Sequence, residues 1–245
     1  MDERITLDDD TWLLVLTGAG VSAESGIPTF RDANGLWENH AVEDVASPDG
    51  FDRDPALVWR FYAERRRAAK PCVPNPGHHA LVAVEQRLGD RFLLATQNVD
   101  GLHGAAGNQR MVEMHGNLFT TRCAGCARPP FRDTSDTWDG ATLPHCDACG
   151  ALLRPHIVWF GERLDPADLD RIDAFLRAGA KHRLVFLAAG TSGVVYPAAG
   201  LVDVAARRGG VTWLVNADPP ENRHRFGHFV RGKSGEVLPQ LFDIR

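Results

Sequence analysis

Apolar positions along this chain fall in short unbroken runs rather than in strict alternation. Residues 12–17 (WLLVLT), 91–96 (RFLLAT), 183–188 (RLVFLA) and 211–216 (VTWLVN) read as strands, with 156–160 (HIVWF) as a further candidate. Such runs predict parallel strands covered on both faces, because alternation marks a sheet with one wet face. Helix starts lie between them. Asp54-Pro55 opens one helix, Asn75-Pro76 a second that stops at Gly89, and Asp165-Pro166 a third that stops at Gly179. A side-chain oxygen followed by proline at the first helical position satisfies the orphan N–H groups there. Strand and helix alternate, which predicts an α/β fold with a doubly wound parallel sheet.

Two stretches break that rhythm. Residues 31–75 are rich in turn formers and hold one helix near their end, and residues 118–154 have little apolar periodicity. The expected organisation is a discontinuous sheet domain (1–30, 76–117 and 155–245) with 31–75 and 118–154 forming a small module beside it. No repeat, low-complexity tract or long linker interrupts this plan.

Composition excludes several classes. The 245 residues are 44% hydrophobic and 24% charged, which is ordinary for a globular chain and unlike disordered, collagen-like or coiled-coil sequences. The apolar runs fall far short of the ~20 residues that a membrane span needs. The acidic start MDERITLDDD has no apolar stretch of the kind a secretory signal carries. A soluble cytoplasmic protein without a membrane partner is expected. The net charge of −5 supplies no global basic field for nucleic acid. Lys70, Lys181 and Lys233 are the only lysines among 27 basic residues. Codon bias accounts for the arginine excess more simply than an anion-binding surface does.

Four of the five cysteines form two pairs, Cys123-x-x-Cys126 and Cys146-x-x-Cys149, with 19 residues between the pairs. That spacing is typical of a four-thiolate zinc site, and Gly125 and Gly150 supply turns beside the ligands. Disulfides are disfavoured in a reducing compartment. Four sulfur ligands leave no open coordination position, so one Zn²⁺ here is structural rather than catalytic. Cys72, between Pro71 and Pro74, reads as an ordinary loop thiol. His145 and His156 flank the cluster without being needed as ligands.

The strand at 12–17 runs into Gly18-Ala19-Gly20-Val21-Ser22, the start of a dinucleotide loop in which glycines let backbone N–H groups approach a pyrophosphate. Ala23 stands where a third glycine belongs. No strand ending in an acid follows about 20 residues on, as a hydride-transferring Rossmann enzyme requires. Instead the loop continues to Asp32. GAGVSAESGIPTFRD (18–32), TQNVDGLH (96–103), MHGN (114–117), RPHIVWFGE (154–162), GTSGVVYPAAG (190–200) and Val215-Asn216 together resemble the sirtuin family of NAD-dependent protein-lysine deacylases. The resemblance runs from about residue 10 to 242 and implies a Rossmann-like sheet with a zinc-ribbon and helical module.

The family consumes NAD as a co-substrate, and the matched positions imply roles. Gly18, Ala19, Gly20 and Ser22 would hold the phosphates, with Arg31 reaching in from a loop and Phe30 covering the nicotinamide end. Gln97, Asn98 and Asp100 resemble the nicotinamide-ribose pocket, with Asn98 counted among the catalytic residues. Gly190, Thr191 and Ser192 follow a strand end, and Asn216 with Ala217 resembles the adenosine-ribose contact. Lys233 stands where the family places a small residue near adenine. His115, in Met114-His115-Gly116-Asn117, is implied as the base, and an imidazole of ordinary pKa, about 6.5, suits that work. Val158, Phe160, Gly161 and Glu162 resemble the segment along which an acyl-lysine protein substrate lies as an added strand. A monomer is expected.

The helix opened by Asp54-Pro55 carries an apolar stripe at Leu57, Val58, Phe61 and Tyr62, whose continuation falls on Arg65. Arg66 and Arg67 lie toward the edge of that face or off it and read as solvated. Tyr62 and Arg65 resemble the desuccinylase and demalonylase branch, in which such a pair grips the distal carboxylate of the acyl chain; Ala23 agrees with that branch. Arg65 paired with a protein carboxylate, leaving an acetyl pocket, is the alternative. Two other functions stay open: protein mono-ADP-ribosylation, and a non-catalytic zinc-ribbon binding module. For the latter, Arg122, Arg128 and Arg132 are diluted by Asp133, Asp136, Asp139 and Asp147, so no basic stripe forms.

Overall fold

The computed structural model describes residues 4–28, 36, 37, 40–133 and 142–244. Six strands form one parallel sheet in the order His228–Arg231, Val211–Asn216, Arg183–Ala189, Thr11–Thr17, Phe92–Thr96, Met111–Glu113. The unbroken apolar runs have the expected cause, since alternate side chains enter different cores. Leu13, Val15, Leu94 and Leu187 join Leu81, Val84, Leu238 and Leu241 on one face. Leu14, Leu16, Leu93 and Phe186 join Ile172, Leu176, Val202 and Ala205 on the other. The three expected helices are present as Pro55–Ala69, Pro76–Leu88 and Pro166–Gly179. Asp54, Asn75 and Asp165 cap them by accepting from the backbone N–H groups of Leu57, Gly77 and Ala167, each at 2.9 Å.

The candidate strand at 156–160 belongs elsewhere. Its observed counterpart, Leu153–Ile157, pairs antiparallel with Gly116–Cys123 in a three-stranded sheet completed by Phe131–Arg132. Pro155 suits the placement: proline has no N–H to give to a ladder, and here it sits in an edge strand. The region 31–75 holds more than one helix, because Val42–Val45 and Pro48–Arg53 precede Pro55–Ala69. These segments and the three-stranded sheet share a third core built around Phe51, Trp59, Phe61, Tyr62, Leu118 and Trp159.

Arg66 is not solvated. It is 1% exposed, and its guanidinium donates to Leu118 O at 2.7 Å, Asp133 Oδ2 at 2.9 Å and Thr121 Oγ1 at 3.0 Å. A single apolar stripe describes one buried face, whereas Val58, Trp59, Phe61, Tyr62, Ala63, Arg66 and Ala69 are all buried, an arc wide enough to meet both a helical layer and the three-stranded sheet. Among the described residues no helix is long and apolar enough to cross a membrane.

Candidate active site

Successive strands leave Thr11–Thr17 in opposite directions, toward Phe92–Thr96 on one side and Arg183–Ala189 on the other. The crevice beyond the carboxyl ends at such a switch point is where open α/β sheets bind ligands. Gly18, Gln97 and Gly190 follow those three strand ends. Gly18 N donates to Ala189 O at 3.0 Å and Gly20 N to Gly190 O at 2.8 Å. A Cβ on Gly20 would lie 2.7 Å from Gly190 Cα, and one on Gly190 would lie 2.3 Å from Val21 N. The glycines thus let two loops touch backbone to backbone.

Amide side chains tie this floor together. Gln97 Nε2 donates to Thr191 Oγ1 at 3.1 Å, and Asn216 Nδ2 donates to Thr191 O at 3.2 Å. Asn98 Nδ2 donates to both Gly18 O and Ser22 Oγ at 3.1 Å. Asp100 accepts from Leu102 N at 2.9 Å. Burial pushes its carboxyl above the usual range, against the pull of Leu102 N–H, the Ser22 hydroxyl and the Arg65 charge. Ala19 is half-buried, whereas Ser192, Ala217 and Lys233 are exposed. Phe30 and Arg31 lie outside the described residues.

His115 occupies the bend between Met111–Glu113 and Gly116–Cys123. Its Nδ1 lies 3.1 Å from Gln97 O. A carbonyl only accepts, so Nδ1 carries the proton and Nε2 keeps its lone pair. Burial lowers the pKa below that of a free imidazole, so the ring is a neutral base near pH 7. The backbone of the same residue accepts from Val158 N at 2.9 Å.

Beyond Val158 the chain turns through Trp159, Phe160 and Gly161, the last at φ +87°. Phe160 is exposed, while its N–H donates to Ala46 O at 3.0 Å. The Glu162 carboxylate is engaged within the protein: it accepts from Arg154 at 2.7 and 2.9 Å, from Arg122 at 3.0 Å and from Trp159 N at 2.8 Å. Tyr62 is fully buried, and its hydroxyl accepts from Trp159 Nε1 at 3.0 Å. Burial pushes that phenol up to about 12, so it remains a hydroxyl. The Arg65 guanidinium lies 5.7 Å from the Phe61 ring and 5.8 Å from the Tyr62 ring.

Sequence reasoning missed Trp159 and Arg154, whose side chains order this turn, and the exposed apolar run of Val194, Val195 and Tyr196. The run was legible as three large apolar residues inside GTSGVVYPAAG; the Trp159 contact had no local signal.

The four paired cysteines converge, with their Sγ atoms all within 4.8 Å of one another. Zinc–thiolate bonds of ~2.3 Å require sulfurs ~3.8 Å apart in a tetrahedron, and Cys123···Cys149 and Cys126···Cys146 stand at 3.5 and 3.9 Å. Cys123, Cys126, Cys146 and Cys149 therefore fit one Zn²⁺.

A parallel sheet with glycine-built loops at its switch point, beside a four-thiolate cluster, defines a dinucleotide-binding α/β protein with a structural metal site. The chain belongs to the Sir2 family, whose sequence profile matches residues 18–197. It is 47% identical over 237 residues to an NAD-dependent protein deacylase of Shigella flexneri, covering 94% of this chain and 82% of that one. Among solved structures it resembles a Sir2 homologue in complex with NAD at 42% identity and TM-score 0.84, covering 94% of this chain and 87% of the other. A mutant Sir2 homologue in complex with 2′-O-acetyl ADP-ribose aligns with TM-score 0.83 at 42% identity, covering 94% and 89%.

Proposed function

We propose that this chain is an NAD-dependent protein-lysine deacylase that favours acyl chains ending in a carboxylate, such as succinyl and malonyl. NAD is the co-substrate, lying across the carboxyl edge of the sheet. Its phosphates meet the loop of Gly18, Ala19, Gly20 and Ser22, and its nicotinamide ribose meets Gln97, Asn98 and Asp100. The acyl-lysine lies as an added strand along the segment that Val158 begins. Its carbonyl oxygen attacks the ribose carbon bonded to nicotinamide, nicotinamide leaves, and an O-alkylimidate forms. His115 Nε2 takes the proton of a ribose hydroxyl, which then attacks the imidate carbon. Water completes the exchange, giving free lysine and O-acyl-ADP-ribose.

The observation that carries the reading is the state of His115. Its Nδ1 is committed to Gln97 O, and burial holds the ring neutral beside the segment proposed to receive substrate. The zinc supplies fold stability to the small module, and no reaction step passes through it. The carboxylate preference rests on Arg65, a cation over two aromatic rings whose charge reaches Asp100 and the Tyr62 phenol. Tyr62 stays protonated and can donate to an acyl carboxylate while its oxygen accepts from Trp159.

Mass spectrometry with NAD and a panel of acyl-lysine peptides tests both levels. O-acyl-ADP-ribose is expected, whereas ADP-ribose attached to protein would replace the deacylase reading with a transferase. Comparing kcat/KM for succinyl- and acetyl-lysine peptides in wild type, Tyr62→Phe and Arg65→Met tests the preference. A wild type that favours acetyl, or variants that lose both activities equally, would overturn it.

A further inference from the structure

Two buried histidines, His78 and His103, lie beneath the nucleotide loops and take no part in the mechanism above. Both are at most 2% exposed, with rings 4.7 Å apart. Burial drives their pKa values to about 4 and about 3, so both are neutral. His103 ends the TQNVDGLH motif and lies in the helix Leu102–Ala106. Its Nε2 stands 3.0 Å from Thr17 Oγ1. The Thr17 and Thr96 hydroxyls lie 2.8 Å apart, and a hydroxyl can donate to one neighbour while accepting from the other, so Thr17 links the imidazole to Thr96. Thr96 Oγ1 also accepts the backbone N–H of Asn98 at 3.1 Å.

Thr17 and Thr96 are partners in register at the carboxyl ends of adjacent strands. One chain of hydrogen bonds therefore runs from His103 through both strand ends to Asn98. The turn it braces presents Asn98 Nδ2 to Gly18 O and Ser22 Oγ, and Gln97 O to His115 Nδ1. Every link is buried, where a hydrogen bond is stronger and its loss leaves an unpaired group.

We infer that His103 is a positioning residue for the deacylation reaction, acting through Thr17 and Thr96 on the turn that carries Gln97 and Asn98. This inference rests on the proposed deacylase activity for its turnover assay alone. His103 is buried, 2% exposed, so its effect is on how accurately the amide of Asn98 and the ring of His115 are aimed. Misaim of a fraction of an ångström slows chemistry more than it weakens binding.

The test compares wild type with His103→Phe, His103→Gln and Thr17→Val. Phenylalanine keeps an aromatic ring and removes the hydrogen-bonding nitrogen, glutamine places an amide near the Nε2 position, and valine deletes the relay hydroxyl at constant shape. His103→Phe and Thr17→Val are expected to lower kcat about 10-fold, with KM for the acyl peptide within about twofold of wild type. The double variant should lose no more than either single one, and His103→Gln should recover most of the loss. Hydrogen exchange at the Asn98 amide reports the same chain without turnover, and protection there should fall about 10-fold in the phenylalanine and valine variants. If that protection falls while wild type turns over no acyl peptide, the deacylase reading fails and the bracing role stands. If folded His103→Phe and Thr17→Val keep wild-type kcat and Asn98 protection, or lose only melting temperature, the inference is wrong.

Discussion

The indole Nε1 of Trp159 donates to the hydroxyl of Tyr62 across 3.0 Å in the middle of the third core. The indole is held from two sides: the Arg154 guanidinium lies 3.3 Å from its ring centroid, and its backbone N–H donates to Glu162. The Arg154–Glu162 pair thus fixes Trp159, and Trp159 fixes where the Tyr62 oxygen accepts. Trp159→Phe should keep the packing but release the Tyr62 hydroxyl. The ratio of kcat/KM for succinyl over acetyl peptide should fall about 3- to 10-fold, the value of one neutral hydrogen bond. A ratio equal to that of wild type would detach Trp159 from acyl selection.

Removal of His115 should abolish the base while sparing the fold. His115→Ala is expected to lose roughly 10²–10⁴-fold in kcat with unchanged zinc content. In wild type the active form is the neutral ring, so activity rises with pH and then levels. Because burial lowers the His115 pKa, the rising limb should lie below pH ~6.5, the midpoint of a free imidazole. A limb centred above that value would point to another group.

Stability should also depend on acid, through His78 and His103. Their folded-state pKa values of about 4 and about 3 lie below the ordinary ~6.5. Below pH ~6.5 the unfolded chain therefore binds protons that the folded protein refuses, and the folded state loses stability as pH falls toward those values. At pH 5 the loss is about 2 kcal/mol per histidine. Urea unfolding at pH 7 and pH 5 measures it, and the double variant His78→Gln, His103→Gln should show a smaller difference.

Metal analysis should find one Zn²⁺ per chain, and serine at any of Cys123, Cys126, Cys146 or Cys149 should lower that content. Chelation should unfold the small module first, since metal-binding energy there is folding energy. Cys72→Ser should leave the metal content unchanged. Protein purified without chelator and free of zinc would refute the site.

Gly190→Ala should destabilise by more than about 2 kcal/mol and weaken NAD binding, because φ is +60° and the new Cβ would press on Val21 N. Calorimetric binding and urea unfolding would separate the two losses.

Local signals carried much of this fold into the sequence. An oxygen-bearing side chain before proline marked three helix starts, and unbroken apolar runs marked strands whose two faces are both covered. The paired cysteines needed no context. Legibility ended where meaning depends on a partner distant in sequence. HIVWF looked like the other strands, but the partner that draws Leu153–Ile157 away from the large sheet is Gly116–Cys123. Arg66 looked solvated because helical periodicity describes one buried face, and this helix has neighbours on two. His103 and Thr17 are 86 positions apart, so no window on the chain contains their contact. The Glu162 carboxylate likewise gave no sign in the sequence that Arg122 and Arg154 would engage it.

One bend in the backbone gives His115 two allegiances. Its ring is tied to the turn of Gln97, and its carbonyl is tied to Val158, the first residue of the segment expected to seat a peptide. On the proposed assignment, recognition and proton removal share a single hinge. A peptide that drew the Val158 segment out of line would also drag the base away from its target, so a poorly seated substrate would be poorly processed. An enzyme gripping its targets by main chain, with little regard for their sequence, would thereby keep a means of rejecting those that fit badly.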